Sequence, residues 1–83
     1  MHPLQEQFGR VIRQLRLAAG LSQESLAEKA GLHRNYVGLL ERGRQMPSIL
    51  IVQKLAIGLG TTMSELLAEV ERVGSPGRKS KTR

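Results

Sequence analysis

The sequence predicts an all-α fold, a bundle of five short helices in a single domain of 83 residues. Apolar residues recur at intervals of three and four, which is the spacing of one face of a helix. A glycine follows each such segment, and a glycine just past the last turn is a common way for a helix to end. No segment alternates apolar and polar residues with period two, so no β-sheet is expected. The glycines that mark the predicted ends are Gly20, Gly31, Gly43, Gly60 and Gly74.

The first helix is predicted from about Leu4 to Ala19, where the apolar residues form one continuous stripe. The second and third helices are shorter and run from Gln23 to Ala30 and from Arg34 to Arg42. Gly31 supplies the tight turn between them. Ser22 stands where its hydroxyl can accept a hydrogen bond from a free backbone N–H of the second helix, which makes it the expected N-cap.

The fourth helix is predicted from Ile49 to Leu59, after a Pro47-Ser48 start, and the fifth from Met63 to Val73. Thr62 and Glu65 have the spacing of a capping box at the start of the fifth helix. One face of the fourth helix is apolar, and we expect it to bury against the first and third helices. The residues of that face are Ile49, Val52, Leu55, Ala56 and Leu59.

A short helix, a tight turn and a second short helix are typical of the helix-turn-helix, whose second helix enters the DNA major groove. The run GLSQESLAEKAGLHRNYVGLLERGRQMPSILIVQKLAIGLG resembles the Cro/CI-type (XRE-family) regulators. The resemblance extends over residues 8–70 and implies a lambda-repressor-like DNA-binding domain. Its short build and the Arg34-Asn35-Tyr36 opening of the third helix resemble the controller proteins of restriction-modification systems. The motifs that carry it are Gly-Leu-Ser-Gln at 20–23, Ala27, Gly31, Glu41-Arg42-Gly43, Pro47-Ser48 and Leu59-Gly60.

The third helix contains the predicted base-contacting residues. If Val37 and Leu40 face the core, the rotation of 100° per residue in a helix places Asn35, Gly38 and Leu39 on the opposite side, toward the groove. Arginine can bond bidentately to guanine and asparagine to adenine. The resemblance implies base contacts at the same positions. Many relatives carry a polar side chain where this sequence has Gly38 and Leu39. Leu39 is therefore expected to contact a thymine methyl group. The predicted base-contacting residues are Arg34, Asn35, Gly38 and Leu39.

Four further residues are predicted to contact phosphate, with a purely solvated surface role as the alternative for each. Gln23 lies at the amino end of the second helix, where free N–H groups attract anions, and the resemblance implies the same contact. Arg42 and Arg44 follow at the exit of the third helix. His33 is interpreted first as a weak N-cap, then as a phosphate donor and last as a metal ligand, because His2 is far away in sequence.

The resemblance also implies an ion pair between Glu41 and Arg16 of the first helix. Such a pair would be structural, because it would orient the third helix without contacting bases. Its two members lie 25 positions apart in the sequence.

Composition excludes several functional classes. The chain has no cysteine and no aspartate, no glycine-rich phosphate loop and no productive pairing of histidine with a carboxylate, so no enzyme, metal site or cofactor is expected. No signal peptide or membrane span is apparent, which predicts a cytoplasmic protein without a membrane partner. A net charge of +6 with one Tyr and one Phe favours duplex DNA over stacked single strands. No small-molecule effector is expected.

Charge divides the chain into residues 1–73, the predicted DNA-binding domain, and a basic tail at 74–83. The tail holds four of the 13 Lys and Arg residues and no acid. It has no large apolar residue that could offset the entropy of ordering the backbone, so disorder is predicted. The tail is either a solubilising segment or an arm that follows phosphate.

A homodimer is predicted from the fourth and fifth helices. Leu50 and Ile57 point nearly opposite the core stripe of the fourth helix and need a second covering surface. Either the fifth helix covers them within the chain, or two chains meet there through these residues together with Leu66 and Val70. Relatives with this build dimerise through the same helices, and the resemblance implies the dimer here.

The sequence therefore predicts a sequence-specific duplex DNA-binding transcriptional regulator that acts as a homodimer on a palindromic operator, with a controller protein as the particular case. The alternative is an antitoxin of the same fold that sequesters a toxin and regulates its own operon. A third interpretation is a basic architectural protein without sequence preference.

Overall fold

A computed structural model describes residues 3–74 as five helices, and the predicted all-α fold is confirmed. No strand occurs between residues 3 and 74. The second and fourth helices have the predicted limits. The first begins and ends one residue earlier than predicted, the third ends one residue earlier and the fifth ends one residue later. Residues 75–83, nearly all of the predicted tail, lie outside the described residues. The helices are α1 (Pro3–Ala18), α2 (Gln23–Ala30), α3 (Arg34–Glu41), α4 (Ile49–Leu59) and α5 (Met63–Gly74).

The helix ends follow local sequence chemistry. Ser22 caps α2 by accepting a hydrogen bond from the backbone N–H of Ser25, with a distance of 2.9 Å between the oxygen and the nitrogen. Gly31 ends the same helix in the left-handed conformation, with φ of 71°, which a residue without a side chain adopts at no steric cost. At the start of α5, Thr62 Oγ1 accepts from Glu65 N and Glu65 Oε1 accepts from Thr62 N, so the predicted capping box is present.

The core is one cluster to which all five helices contribute. α1 packs against α3 and α5, while α2 packs against α3 and α4. The expectation that α4 packs on the first and third helices is wrong, because its main partner is α2. Ile49 was also expected in the core, but it is 68% exposed at the first position of α4. The buried apolar residues are Phe8, Val11, Ile12, Leu26, Ala27, Ala30, Val37, Leu40, Val52, Leu55, Ala56, Leu66 and Val70.

Two helix crossings depend on the absence of a side chain. A Cβ atom on Gly9 of α1 would lie 2.3 Å from the carbonyl oxygen of Leu40 and 2.8 Å from that of Glu41. A Cβ atom on Gly58 of α4 would lie 3.0 Å from the Cβ of Ala30. The backbones of α1 and α3 are therefore in direct contact, and this contact fixes the position of α3 on the bundle.

We expect Gly9→Ala to destabilise the fold by about 1–3 kcal/mol, because the added methyl group overlaps backbone oxygen atoms that cannot rotate away. The higher helix propensity of alanine opposes this loss by up to about 1 kcal/mol. The measurement is chemical denaturation. Gln14→Ala, at an exposed position of α1, is the control and should leave the unfolding midpoint nearly unchanged. An unchanged or raised midpoint for Gly9→Ala would show that the two helices can separate without loss.

Among the described helices, none is by itself long and apolar enough to cross a membrane. Only α4 and α5 taken together reach that length and hydropathy, and they are bent by 99° relative to each other.

Candidate nucleic-acid interface

The α2–turn–α3 unit presents the amino ends of two helices on one side of the molecule. The turn ends at His33, which has an extended backbone and caps α3. Its Nδ1 accepts a hydrogen bond from the backbone N–H of Asn35, at 3.2 Å. The first two residues of α3, Arg34 and Asn35, are both exposed. The side chain of Asn35 and the guanidinium of Arg34 are thus available to a ligand at the start of α3.

A surface cleft lies between the amino end of α2 and the outer side of α3. It brings together all four predicted base-contacting residues and two of the predicted phosphate contacts. Val37 and Leu40 are fully buried beneath it, as the helical rotation predicted. The cleft is lined by Arg16, Ser22, Gln23, Glu24, Arg34, Asn35, Gly38, Leu39 and Arg42.

The base-contacting set is not uniform in exposure. Leu39 is half-buried, and Gly38 is buried although it lies on the groove side of α3. Gly38 nevertheless lines the cleft, with the side chains of Gln23 and Arg42 beside it, and base contact at this position stays a prediction. Arg34 Nη1 lies 3.9 Å from Glu24 Oε1, and both side chains are mostly exposed. Exposed pairs of this kind contribute little, so Arg34 can leave Glu24 for a base.

A hydrogen-bonded ion pair connects α1 to α3, and the predicted pairing of Arg16 with Glu41 is present. Arg16 donates from Nε to Glu41 Oε2 at 2.6 Å and from Nη2 to Oε1 at 3.0 Å. The two side chains are 8% and 3% exposed. The hydrogen bond that Arg16 donates to the side chain of Glu41 raises the pKa of the Arg16 guanidinium above its ordinary value, against the opposing effect of burial. The pair therefore holds the carboxyl end of α3 against α1.

Gln23 joins the same network from α2. Its Nε2 donates to Glu41 Oε1 at 3.0 Å, so Glu41 connects three helices. A third nitrogen of Arg16, Nη1, donates to the carbonyl oxygen of Leu21 at 2.9 Å. No local pattern in the sequence indicates that Gln23 contacts Glu41, because the two residues belong to different helices. The side chain of Gln23 is hydrogen-bonded within the protein. The phosphate contact predicted for Gln23 would therefore be made by the free backbone N–H groups at the start of α2.

The loop after α3 holds the other basic residue predicted to contact phosphate. Arg44 is exposed, and its backbone N–H donates to the carbonyl oxygen of Leu39 at 2.9 Å. Gln5 of α1 donates from Nε2 to the carbonyl oxygen of Gly43 at 3.1 Å. These two bonds fix the loop beside the carboxyl end of α3. Sequence reasoning missed Gln5, since no local motif connects it to a glycine 38 residues away.

The predicted dimer surface is only partly available. Leu50 and Ile57 are 54% and 66% exposed, so α5 does not cover them. Leu66 and Val70, in contrast, are 0% and 3% exposed. Placing these two residues in a dimer interface was wrong, because the inner face of α5 packs into the core of its own chain. The exposed apolar surface that remains consists of Ile49, Leu50 and Ile57 on α4, with Leu67 on α5.

Fold and cleft together define a helix-turn-helix DNA-binding domain. The helix-turn-helix family matches residues 12–66, and the chain belongs to that family. Control protein C.MunI of Mycoplasma sp. is 36% identical over 73 residues, which span 87% of this chain and 99% of that protein. The relatives include control proteins and phage repressors, and they do not favour the antitoxin alternative.

Solved structures agree with the sequence relatives. The restriction-modification controller protein C.AhdI from Aeromonas hydrophila is 47% identical, with a TM-score of 0.72 over 75% of this chain and 94% of that one. The controller protein C.Esp1396I, solved as a tetramer on its natural 35 base-pair operator, is 26% identical. Its TM-score is 0.84 over 89% of this chain and 97% of that one. The chain thus has the fold of restriction-modification controllers.

Proposed function

We propose that this protein is a transcriptional regulator that binds a palindromic duplex operator as a homodimer and controls a restriction-modification system from the cytoplasm. The observation that carries the proposal is the cleft, which groups Arg34 and Asn35 with the amino end of α2. In a helix-turn-helix this arrangement lets α2 meet the phosphate backbone while α3 enters the major groove. The work of the site is binding, and no catalytic step is assigned to it.

The division of roles follows from position and chemistry. Arg34 and Asn35, at the start of α3, are assigned to base edges, and Leu39 to a thymine methyl. The amino end of α2, His33 and Arg44 are assigned to phosphate. His33 uses Nδ1 to accept from Asn35 N, so the tautomer that caps α3 carries its proton on Nε2 and can donate to a phosphate oxygen. Leu50 and Ile57 are assigned to the twofold contact between chains.

The experiment that tests the function is selection of random duplex oligonucleotides by the wild-type protein at physiological salt. We expect a twofold-symmetric site whose half-sites lie about 34 Å apart, one turn of the double helix. A selection that returns no preferred sequence would support the architectural interpretation instead. A single, unrepeated half-site would contradict the dimer.

Arg34→Ala should weaken binding to the selected operator by about 1–3 kcal/mol and relax the preference at one base pair of each half-site. The reason is the loss of a bidentate contact that only one base satisfies. Titration of operator and unrelated duplex measures both effects. Arg72→Ala removes an exposed arginine from α5 and serves as the control, with unchanged base preference. An equal loss on every duplex would assign Arg34 to phosphate.

A further inference from the structure

The burial of Gly38 has a specific cause. The residue lies on the groove side of α3, opposite Val37 and Leu40, yet it is buried. A Cβ atom on Gly38 would lie 3.4 Å from Nη1 and 3.9 Å from Nη2 of Arg42, and 3.6 Å from Oε1 of Gln23. The guanidinium of Arg42 therefore lies against the backbone of α3 at Gly38, where the atoms of a side chain longer than alanine would otherwise lie.

Helix geometry explains how Arg42 comes to lie there. The residue follows the last residue of α3 and is four positions after Gly38, so the two share one side of the helix. Helical side chains lean toward the amino end, and the long arginine side chain spans about one turn in that direction. The charged group of Arg42 thus lies near the middle of α3. It lines the same cleft as Arg34, Asn35 and Leu39, and Arg44 does not.

Gln23 lies beside the same position of α3. Its Nε2 donates to Glu41, which itself accepts from Arg16, so the amide is held in one orientation. That orientation turns Oε1 toward Gly38. The guanidinium of Arg42 has five N–H donors, which are enough for a bidentate contact to a base. Arg42 is exposed.

We propose that Arg42 is a third base-contacting residue, which recognises a guanine through the space left open by Gly38. The inference rests on the proposed function, since it requires that α3 enter the major groove. A guanidinium can donate two hydrogen bonds to O6 and N7 of guanine, whereas a phosphate contact needs only a positive charge. This role replaces the phosphate contact that the sequence predicted for Arg42.

Arg42→Lys separates the two roles, because lysine keeps the charge and loses the planar fork. Affinity for the selected operator should fall by about 5- to 150-fold, and affinity for unrelated duplex should stay within about twofold, which is the pattern of a lost bidentate base contact. Repeating the oligonucleotide selection should show lost preference at one base pair of each half-site. Arg72→Lys is the matched control, an exposed arginine of α5 outside the cleft, and should change neither result.

Gly38→Leu tests the same contact without altering a charge. A Cβ atom alone would only touch Arg42, at 3.4 Å, but a leucine side chain extends beyond that atom into the place of the guanidinium and displaces it, so the same base pair should lose its preference. Circular dichroism and thermal melting verify that both variants are folded. Wild-type affinity and preference in Arg42→Lys would overturn the inference, as would a loss shared equally by all duplexes. A wild type that selects no sequence would overturn the proposed function, and this inference with it.

Discussion

Glu41→Ala is expected to lower the free energy of unfolding by about 3 kcal/mol, at the lower end of the range for breaking a buried ion pair. The variant leaves the Arg16 guanidinium, whose residue is 7% exposed, without its carboxylate. It also removes the acceptor of Gln23. Within residues 3–74 every buried side-chain nitrogen and oxygen has a hydrogen-bond partner, so the loss creates unsatisfied donors in a fully satisfied interior. Chemical denaturation measures the change.

Two further variants test whether the loss comes from an unpaired buried charge. Glu69→Ala breaks an ion pair with Arg72 on the surface of α5 and should leave stability close to that of the wild type. The double replacement Arg16→Met, Glu41→Leu removes both charges and should recover much of the lost stability, because no buried charge remains unpaired. If Glu41→Ala were as stable as Glu69→Ala, solvent rather than Glu41 would be compensating the charge of Arg16.

Local chemistry explains why the helices could be predicted. The limits of α2 and α4 follow from Ser22 and Ser48 at their starts and from glycines at their ends, and each of these acts within four residues. The capping box of Thr62 and Glu65 has the same short range. Such features appear in the sequence as spacing alone. They hold in the folded chain because no distant residue competes for the same backbone groups.

The packing of α4 and α5 could not be predicted in the same way. A helical wheel shows that Leu66 is apolar and which residues share its face, but it does not show which neighbour that face meets. Whether the inner face of α5 packs in its own chain or against another depends on how α1 and α5 cross. The prediction that α4 packs on α1 and α3 was wrong for the same reason. The close contact of Gly58 with Ala30 belongs to the packing of α4 on α2, and it joins residues far apart in sequence.

In the candidate site, too, features within one helix could be predicted and contacts between helices could not. The direction of Asn35 and the burial of Val37 follow from rotation along one helix, and both were predicted. The contact of Gln23 with Glu41 joins two helices and was missed. The position of Arg42 over Gly38 is an intermediate case. The spacing of four residues is visible in the sequence, but the sequence does not show that the arginine side chain lies against the glycine.

The second large effect is expected from Leu50→Glu combined with Ile57→Glu. Both residues lie on one side of α4 and are more than half exposed in the single chain, so the variant should keep its helices and its stability. In a twofold dimer the four introduced carboxylates would face one another at the contact, where burial of like charges is strongly unfavourable. We therefore expect a folded monomer. Sedimentation of the variant, with circular dichroism to verify folding, measures both properties.

The consequence for DNA binding is larger than the loss of any base contact. A dimer that has bound one half-site holds its second α3 close to the other half-site, and this effective concentration is worth about 10²- to 10⁴-fold in affinity. The monomeric variant should lose that factor on the full palindrome and bind an isolated half-site as the wild-type chain does. Leu17→Glu, at a leucine of α1 with the same 54% exposure as Leu50, should stay dimeric and keep its preference for the palindrome. A double variant that also stays dimeric would place the twofold contact elsewhere, because two buried carboxylates from each chain are incompatible with an interface at Leu50 and Ile57.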